Sequence, residues 1–419
     1  MADNSSRSYI VHGENIITEA VYQRPASERP ASDSLERIRH WLITAARAEP
    51  SFIRVIDELG WRLLAAGYRL MRVSLHAGTL HPQFRNVAFM WWREPGHTLR
   101  IMITYEFADI LPYAENPVRR VREGGETLRR RLEGADAVLD FAMLRDLQSR
   151  GATEYLALPV ASSFGFGSYM LAYVTDRAGG LTDREVADLG SLGTLVSVIA
   201  DMHSQKRIAE NVLRAYLGHQ TGPRVLAGEI RRGSGELIAA IIWSSDLRDF
   251  TALSDHEPAD RVIATLNDMF DLQARAIAKH GGEILKFMGD GLLAIFPVSG
   301  PDQAADAAAQ ALAAATETLE GLEARNARAD TAPLRMVIAL HYGTVTYGNI
   351  GSVDRLDFTV IGPAVNLVSR AEAVAKSLNL SLVVTDDFAA AYGHALRSIG
   401  KHRFRGLDQE HELFVPANS

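Results

Sequence analysis

The chain is predicted to hold two α+β domains in series, and three observations lead there. Over residues 34–180 two helix-periodic segments precede a set of separate apolar runs of strand length, the segregation typical of an α+β unit. From residue 236 the order becomes β-α-β-β-α-β, a different pattern in the same chain. At 419 residues the chain also exceeds one ordinary hydrophobic core. Hydrophobic residues make up 47% and charged residues 23%, the balance of a soluble globular protein. The chain has no cysteine, which excludes disulfides, thiolate metal sites and cysteine nucleophiles and fits a cytoplasmic setting. A net charge of −7 argues against general nucleic-acid binding. Met1–Arg24 lacks a signal-peptide core, and the apolar run Leu237–Trp243 is too short for a membrane span.

Residues 1–33 are polar and carry Arg24-Pro-Ala-Ser-Glu-Arg-Pro30, so a flexible N-terminal arm is expected, in which Tyr9-Ile-Val and Ile16-Ile17 are the segments able to dock. Leu35, Ile38, Leu42 and Ala45, then Phe52, Val55, Ile56 and Leu59, have helical spacing. Strand-like runs follow at Arg69–His76, Asn86–Trp92 and Leu99–Phe107, and after a charged helical section at Glu154–Pro159 and Tyr169–Thr175. The basic runs around Arg119–Arg122 and Arg129–Arg131 are interleaved with Glu123, Glu126 and Glu133 and read as solvated surface. His76, His81 and His97 are irregularly spaced and read as structural. Residues 34–180 form the first domain and 181–235 a connecting helix and junction. That helix opens on Thr182-Asp-Arg-Glu185, a capping box, with Val186, Leu189, Leu192, Val196 and Ile199 repeating at three and four residues. The stripe fits either a signalling connector or a helix that closes its own domain.

Residues 236–419 form the second domain. Strand Leu237–Ser245 ends at Asp246, and a helix over 258–280 follows. Two apolar runs then flank Gly289-Asp290-Gly291, the mark of a hairpin whose tip carries a carboxylate 44 residues after the first. Two acids converging at strand ends are what a pair of divalent cations needs for nucleotide chemistry. An Ala-rich helix, strands over 334–342, 344–350 and 357–361, a helix over 363–378 and short terminal strands complete the domain. Asn366 and Arg370, four apart, share one face of that last helix. Lys286 and Asp290 lie on one hairpin, about 13 Å apart if extended.

Three separated motifs carry a family resemblance: Ser245-Asp-Leu-Arg-Asp-Phe-Thr251, Lys286-Phe-Met-Gly-Asp-Gly291 and Asp357-Phe-Thr-Val-Ile-Gly-Pro-Ala-Val-Asn-Leu-Val-Ser-Arg370. Residues 215–415 resemble the catalytic domain of class III nucleotidyl cyclases, which implies a ferredoxin-like, palm-type βαββαβ fold and conversion of ATP to cyclic AMP and pyrophosphate. The resemblance assigns two Mg²⁺ or Mn²⁺ ions to Asp246 and Asp290 with the Leu247 carbonyl, and phosphate binding to the turn at Phe250 and Thr251. It gives base selection to Lys286 and Thr359, the ribose to Asn366, the charge of the transferring phosphate to Arg370 and the terminal phosphates to Arg405, with Lys401 and Arg403 as rivals. Lysine with threonine matches the adenine edge, since N1 accepts and the N6 amine donates, whereas guanine calls for a carboxylate at 286. The family usually has glycine where this chain has Asp249, an added carboxylate beside a triphosphate that a metal or Arg248 must offset. The resemblance further implies a head-to-tail homodimer with interfacial active sites. Guanylate cyclase, or a degenerate nucleotide-binding dimer, is the alternative.

Gly151-Ala-Thr-Glu-Tyr-Leu-Ala-Leu-Pro159, the Tyr169–Thr175 run and Gly180-Leu-Thr-Asp-Arg-Glu185 make the first domain similar to a GAF-type sensor. With Leu80-His-Pro82, the pattern resembles the N-terminal half of a group of proteobacterial adenylate cyclases. A small-molecule effector is implied there, of unknown identity.

Overall fold

The computed structural model describes residues 10–11, 15–110, 117–163, 167–328, 333–404 and 409–417. It divides into two compact units, Met1–Val212 and Leu213–Ser419.

The first unit is one antiparallel sheet between two helical layers. Its strands are β1 (Ile10–Val11), β2 (Ile16–Tyr22), β3 (Leu70–Gly78), β4 (Phe84–Trp92), β5 (His97–Thr104), β6 (Leu128–Arg131), β7 (Glu154–Val160) and β8 (Tyr169–Thr175), in the order β1-β2-β5-β4-β3-β8-β7-β6. On one face α1 (Leu35–Thr44), α2 (Phe52–Ala65), α6 (Asp183–Ser191) and the start of α7 (Gly193–Leu217) bury Leu42, Leu59, Leu189 and Val196 against Val73 and Tyr173. On the other, α4 (Pro117–Gly124) and α5 (Ala142–Ser149) bury Val121 and Leu144 against Tyr155 and Val174. The remaining helix, α3 (Tyr105–Ile110), takes over residues 105–107, which the apolar pattern assigned to a strand.

Residues 16–29 correct the expectation of a flexible arm. Strand β2 pairs with β5 from Ile16↔Ile103 to Tyr22↔Thr98. Arg24 then bonds the buried carboxylate of Asp57 at 2.7 Å and Glu58 at 2.8 Å, and Arg29 lies 3.9 Å over the Trp61 ring. Polar composition concealed this because the partners are buried acids far along the chain. The basic run at 129–131 is likewise not simply solvated: it forms β6, and Arg129 pairs with the buried Glu154 at 2.7 Å. The capping box at Thr182 and Glu185 is present. The apolar stripe that follows it sits in this unit's own core, as a closing helix requires.

The second unit starts in the last turn of α7 and continues through α8 (Thr221–Leu226), β9 (Gly235–Leu247), α9 (Phe250–His256), α10 (Ala259–Lys279), β10 (Glu283–Met288), β11 (Gly291–Val298), α11 (Ala304–Asn326) and β12 (Met336–Gly351). Then come β13 (Leu356–Ile361), α12 (Pro363–Ser377), β14 (Leu382–Thr385), α13 (Asp386–Tyr392), β15 (Leu396–Arg403) and β16 (Glu410–Pro416). The sheet runs β10-β11-β9-β12-β14-β16-β15, with β13 also on β12. Its first four strands, with α10 and α11, give the mixed βαββαβ layout. Helices α10, α11 and α13 cover one face through Met269, Ala308 and Phe388, and α12 covers the other through Val368 and Ala371. The two strands expected over 334–350 are one continuous strand, because Gly343 does not break pairing with β9 at Ala240. Among the described residues no helix is long and apolar enough to cross a membrane.

Candidate active site

The acidic centre is built by strand register. Leu292 of β11 pairs with Ser245 of β9, so Gly291 faces Asp246 at the next position and Asp290 occupies the turn beyond. Gly289 supplies the left-handed φ of +67° that the two-residue turn needs. Gly291 is required by space: a Cβ there would overlap the Ser245 carbonyl and stand 3.4 Å from Asp246 Oδ1. Burial pushes the Asp290 carboxyl above its usual value.

Helix α12 supplies two side chains that the sequence motifs left out. Lys376 Nζ donates to Asp246 Oδ2 and lies 3.4 Å from Glu372 Oε1, while Ser244 Oγ donates to Glu372 Oε2 at 2.5 Å. The Glu372 carboxyl is raised, chiefly by burial, with the negative charge of Asp290 adding to it. Burial lowers the Lys376 ammonium. Asp246 and Asp290 thus both act on the face of the sheet that α12 covers. The signal for Glu372 and Lys376 was an i,i+4 acid–base pair on the inward side of an amphipathic helix, a pattern most helices use only on their surface.

This donor set fits a divalent cation. Asp246 Oδ1 is buried and has no hydrogen-bond partner, an anionic oxygen left for a ligand. Among the described residues no cluster of three or more His, Cys, Asp or Glu side chains is arranged to hold a metal. Two carboxylates, with water and substrate phosphates completing the shell, suit Mg²⁺ rather than a closed all-protein cage.

A second constellation lies in a cleft of about 420 Å³ lined by Arg214, Tyr216, Lys286, Phe287, Asp357 and Thr359, among others. Lys286 projects from β10 opposite Leu293, and Thr359 from β13 opposite Gly348. Thr359 is 5% exposed, and its Oγ1 has no partner.

The other predicted residues fall in different places. Leu247, the last residue of β9, is buried opposite Met336. Phe250 packs on the core at the start of α9, and Thr251 beside it is exposed. Asn366 is exposed and Arg370 partly exposed on the outer side of α12, whereas Lys376 faces β9. Among the described residues no hydrogen bond or ion pair links either of them to Asp246, whose partner from α12 is Lys376. Arg405 lies outside the described residues.

Asp249 adopts a left-handed conformation, φ 60° and ψ 20°, which accounts for glycine being usual there. Its carboxylate pairs with Arg335 at 2.5 Å, both side chains being exposed. Arg248 feels the charge of Asp249 without bonding to it. Its guanidinium donates to the carbonyls of Ala375, Lys376 and Leu380 and to Asn379 Oδ1, at the C-terminus of α12.

The model of the adenylate and guanylate cyclase catalytic domain matches residues 238–412. Adenylate cyclase 1 of Rhizobium meliloti (strain 1021) is 28% identical over 226 residues, which cover 51% of this chain and 33% of the relative. An uncharacterized protein of Mycobacterium tuberculosis (strain ATCC 25618 / H37Rv) is 32% identical over 248 residues, covering 56% of this chain and 44% of the relative. The chain therefore spans less than half the length of these curated relatives. The solved adenylyl cyclase CyaB from P. aeruginosa is 25% identical with a TM-score of 0.38, covering 43% of this chain and 94% of that one. With the family model on the strands that carry Asp246, Lys286, Asp290 and Thr359, residues 238–412 are a class III adenylate/guanylate cyclase catalytic domain.

Proposed function

We propose that this domain converts ATP to 3′,5′-cyclic AMP and pyrophosphate. The observation that carries the choice of base is the pairing of Lys286 with the buried, unpartnered Oγ1 of Thr359 in one cleft. The ammonium donates to adenine N1, and the hydroxyl accepts from the N6 amine. Guanine, with a donor at N1, would face Lys286 with like polarity and leave buried groups unpaired, which sites of this kind discriminate against strongly.

In this reading the ribose 3′-hydroxyl gives its proton to solvent and its oxygen attacks the α-phosphorus; a new P–O bond forms, and the bond from the α-phosphorus to the oxygen it shares with the β-phosphorus breaks as pyrophosphate takes the electron pair. Asp246, Asp290 and the Leu247 carbonyl would hold two Mg²⁺ or Mn²⁺ ions, which would lower the pKa of the hydroxyl and neutralise phosphate charge. Main-chain amides at Phe250 and Thr251 approach the phosphates. Asn366 orients the ribose and Arg370 stabilises charge on the transferring phosphate, with Arg405 on the terminal phosphates. Because Asn366 is exposed on α12 and Arg370 partly so, while it is Lys376 of that helix that reaches Asp246, the reading is a head-to-tail homodimer. One protomer provides the acid pair and its partner the cleft and the outer side of α12. The Arg335 pairing offsets the added charge of Asp249 and so preserves triphosphate binding. The first unit, an antiparallel sheet with helices on both faces, acts as a GAF-like regulatory domain for a small-molecule effector.

The test is incubation of the purified full chain with ATP or GTP and Mn²⁺, with chromatography of the product. Cyclic AMP formed from ATP, and its loss by two or more decades in Asp290→Asn, is expected. Preferential cyclic GMP formation would replace this reading with the guanylate one. No cyclic product from either nucleotide would leave a nucleotide-binding dimer.

A further inference from the structure

The cleft that holds Lys286 and Thr359 has a wall that none of the catalytic motifs contains. The last turn of α7, Arg214–Leu217, lines it together with Gly218. Within that turn Tyr216 is 83% exposed, a large aromatic ring left in water at the edge of the cleft. The other rings lining the cleft are committed elsewhere. Phe287 lies tilted against Phe270 with ring centres 4.4 Å apart, and Phe358 meets Tyr347 edge-on at 4.7 Å. Tyr216 has no ring partner among the described residues.

The turn is held in place by a buried polar cluster. After Gly218, at φ +86°, the chain re-enters the fold at Thr221. The backbone N–H and the hydroxyl of Thr221 both donate to Glu283 Oε1 at 3.1 Å. The Tyr347 hydroxyl donates to Glu283 Oε2 at 3.0 Å and lies 2.9 Å from Thr221 Oγ1. All three side chains are buried, and Glu283 is on β10, three residues before Lys286. An unpaired carboxylate at that position would be costly, so the cluster fixes the end of α7 to the strand that reads the base.

We infer that Tyr216 is the stacking wall of the base site, covering the purine face while Lys286 and Thr359 read its edge, and that Thr221 and Glu283 position it. Edge contacts fix a base in its plane but leave both faces in water, and an unengaged aromatic ring beside the cleft supplies the missing contact. The inference rests on the proposed nucleotide reading of the cleft, and it places a substrate contact on the helix that begins in the first unit.

The experiment is calorimetric titration of the full chain, in Mn²⁺, with 3′-deoxy-ATP, which cannot cyclise, and with inorganic tripolyphosphate, which has no base. Tyr216→Ala is expected to weaken 3′-deoxy-ATP binding about tenfold, with Tyr216→Phe and tripolyphosphate binding unchanged. Thr221→Val is expected to produce part of the same base-dependent loss, and Thr221→Ser to restore it. Equal affinity of wild type and Tyr216→Ala for 3′-deoxy-ATP overturns the inference, and so does a matching loss for tripolyphosphate. If Lys286→Glu weakens 3′-deoxy-ATP binding while Tyr216→Ala does not, the wall falls and the nucleotide reading stands. If the wild type binds both probes equally, the nucleotide reading and the wall fall together.

Discussion

Lys376 and Asp246 hold the most consequential contact at the scale of single residues. The ammonium occupies one oxygen of the carboxylate assigned to metal, and the other oxygen has no partner. Lys376 therefore acts as the counter-ion of Asp246 when no cation is present, and competes with one that arrives. In Lys376→Met the metal-free protein loses that pairing, and its melting temperature is expected to fall by about 2–4 °C, as roughly 1 kcal/mol does in a unit of this size. The upward shift on adding Mn²⁺ is expected to exceed that of the wild type. A thermal-shift titration giving the same Mn²⁺ response in both proteins would show that Lys376 is only structural. The motifs exposed Asp246, Asp290, Lys286 and Thr359 directly, since each stands in a short run of fixed type. Lys376, Glu372 and Arg335 were hidden because each matters through a partner more than 80 positions away.

At the scale of elements, the β10–β11 hairpin sets the site, and its shape was largely legible in advance. Two apolar runs around Gly-Asp-Gly specify a two-residue turn, and the turn places a carboxylate at its tip. Legibility ended at the reason for the second glycine. Gly291 is needed less for its own torsion than for the approach of β11 to the Ser245 carbonyl, which only the register reveals. Gly291→Ala is expected to destabilise the second unit by about 1–3 kcal/mol by forcing the strands apart, and to separate Asp290 from Asp246. Urea denaturation checks the first effect and cyclic AMP formation the second. A variant with wild-type stability and activity would mean the hairpin is looser than the register implies. The tie between Arg24 and Asp57 has the same character. Arg24→Ala strands a buried carboxylate, leaving it Thr98 Oγ1 at 2.9 Å and the Trp61 indole with no cation, and is expected to cost about 3 kcal/mol in the first unit. A loss below about 0.5 kcal/mol on chemical denaturation would return residues 16–29 to the status of a loose arm.

At the scale of the whole molecule, acid sensitivity follows from histidines buried in neutral form. His341, on β12, is buried with Nδ1 2.9 Å from Thr385 Oγ1, and faces Asp386, Asp387 and His411. Burial dominates the pull of Asp386 and brings its pKa down to about 4. The unfolded chain takes up a proton as pH falls through about 6.5, and the folded chain does not until about 4, so stability present above 6.5 is lost across that window. The difference corresponds to about 3 kcal/mol at the acid end. His341→Asn keeps a side-chain donor but does not titrate, so its stability should vary less between pH 6.5 and 4. Denaturation curves with the same pH slope as the wild type would assign the acid sensitivity to other groups.

The sequence by itself determined the order of parts: an apolar strand ending in one acid, a glycine-flanked hairpin ending in another, and a lysine and a threonine that line one cleft. These are local signals, written in residue type and spacing over a few positions. Tertiary structure alone decided that residues 16–22 close a sheet, that Arg335 pairs with Asp249, that α12 brings Lys376 and Glu372 to the acid pair, and that the end of α7 reaches the cleft of Lys286. In each case the deciding partner lies far along the chain, and its effect comes from burial and register, which no short window of sequence contains.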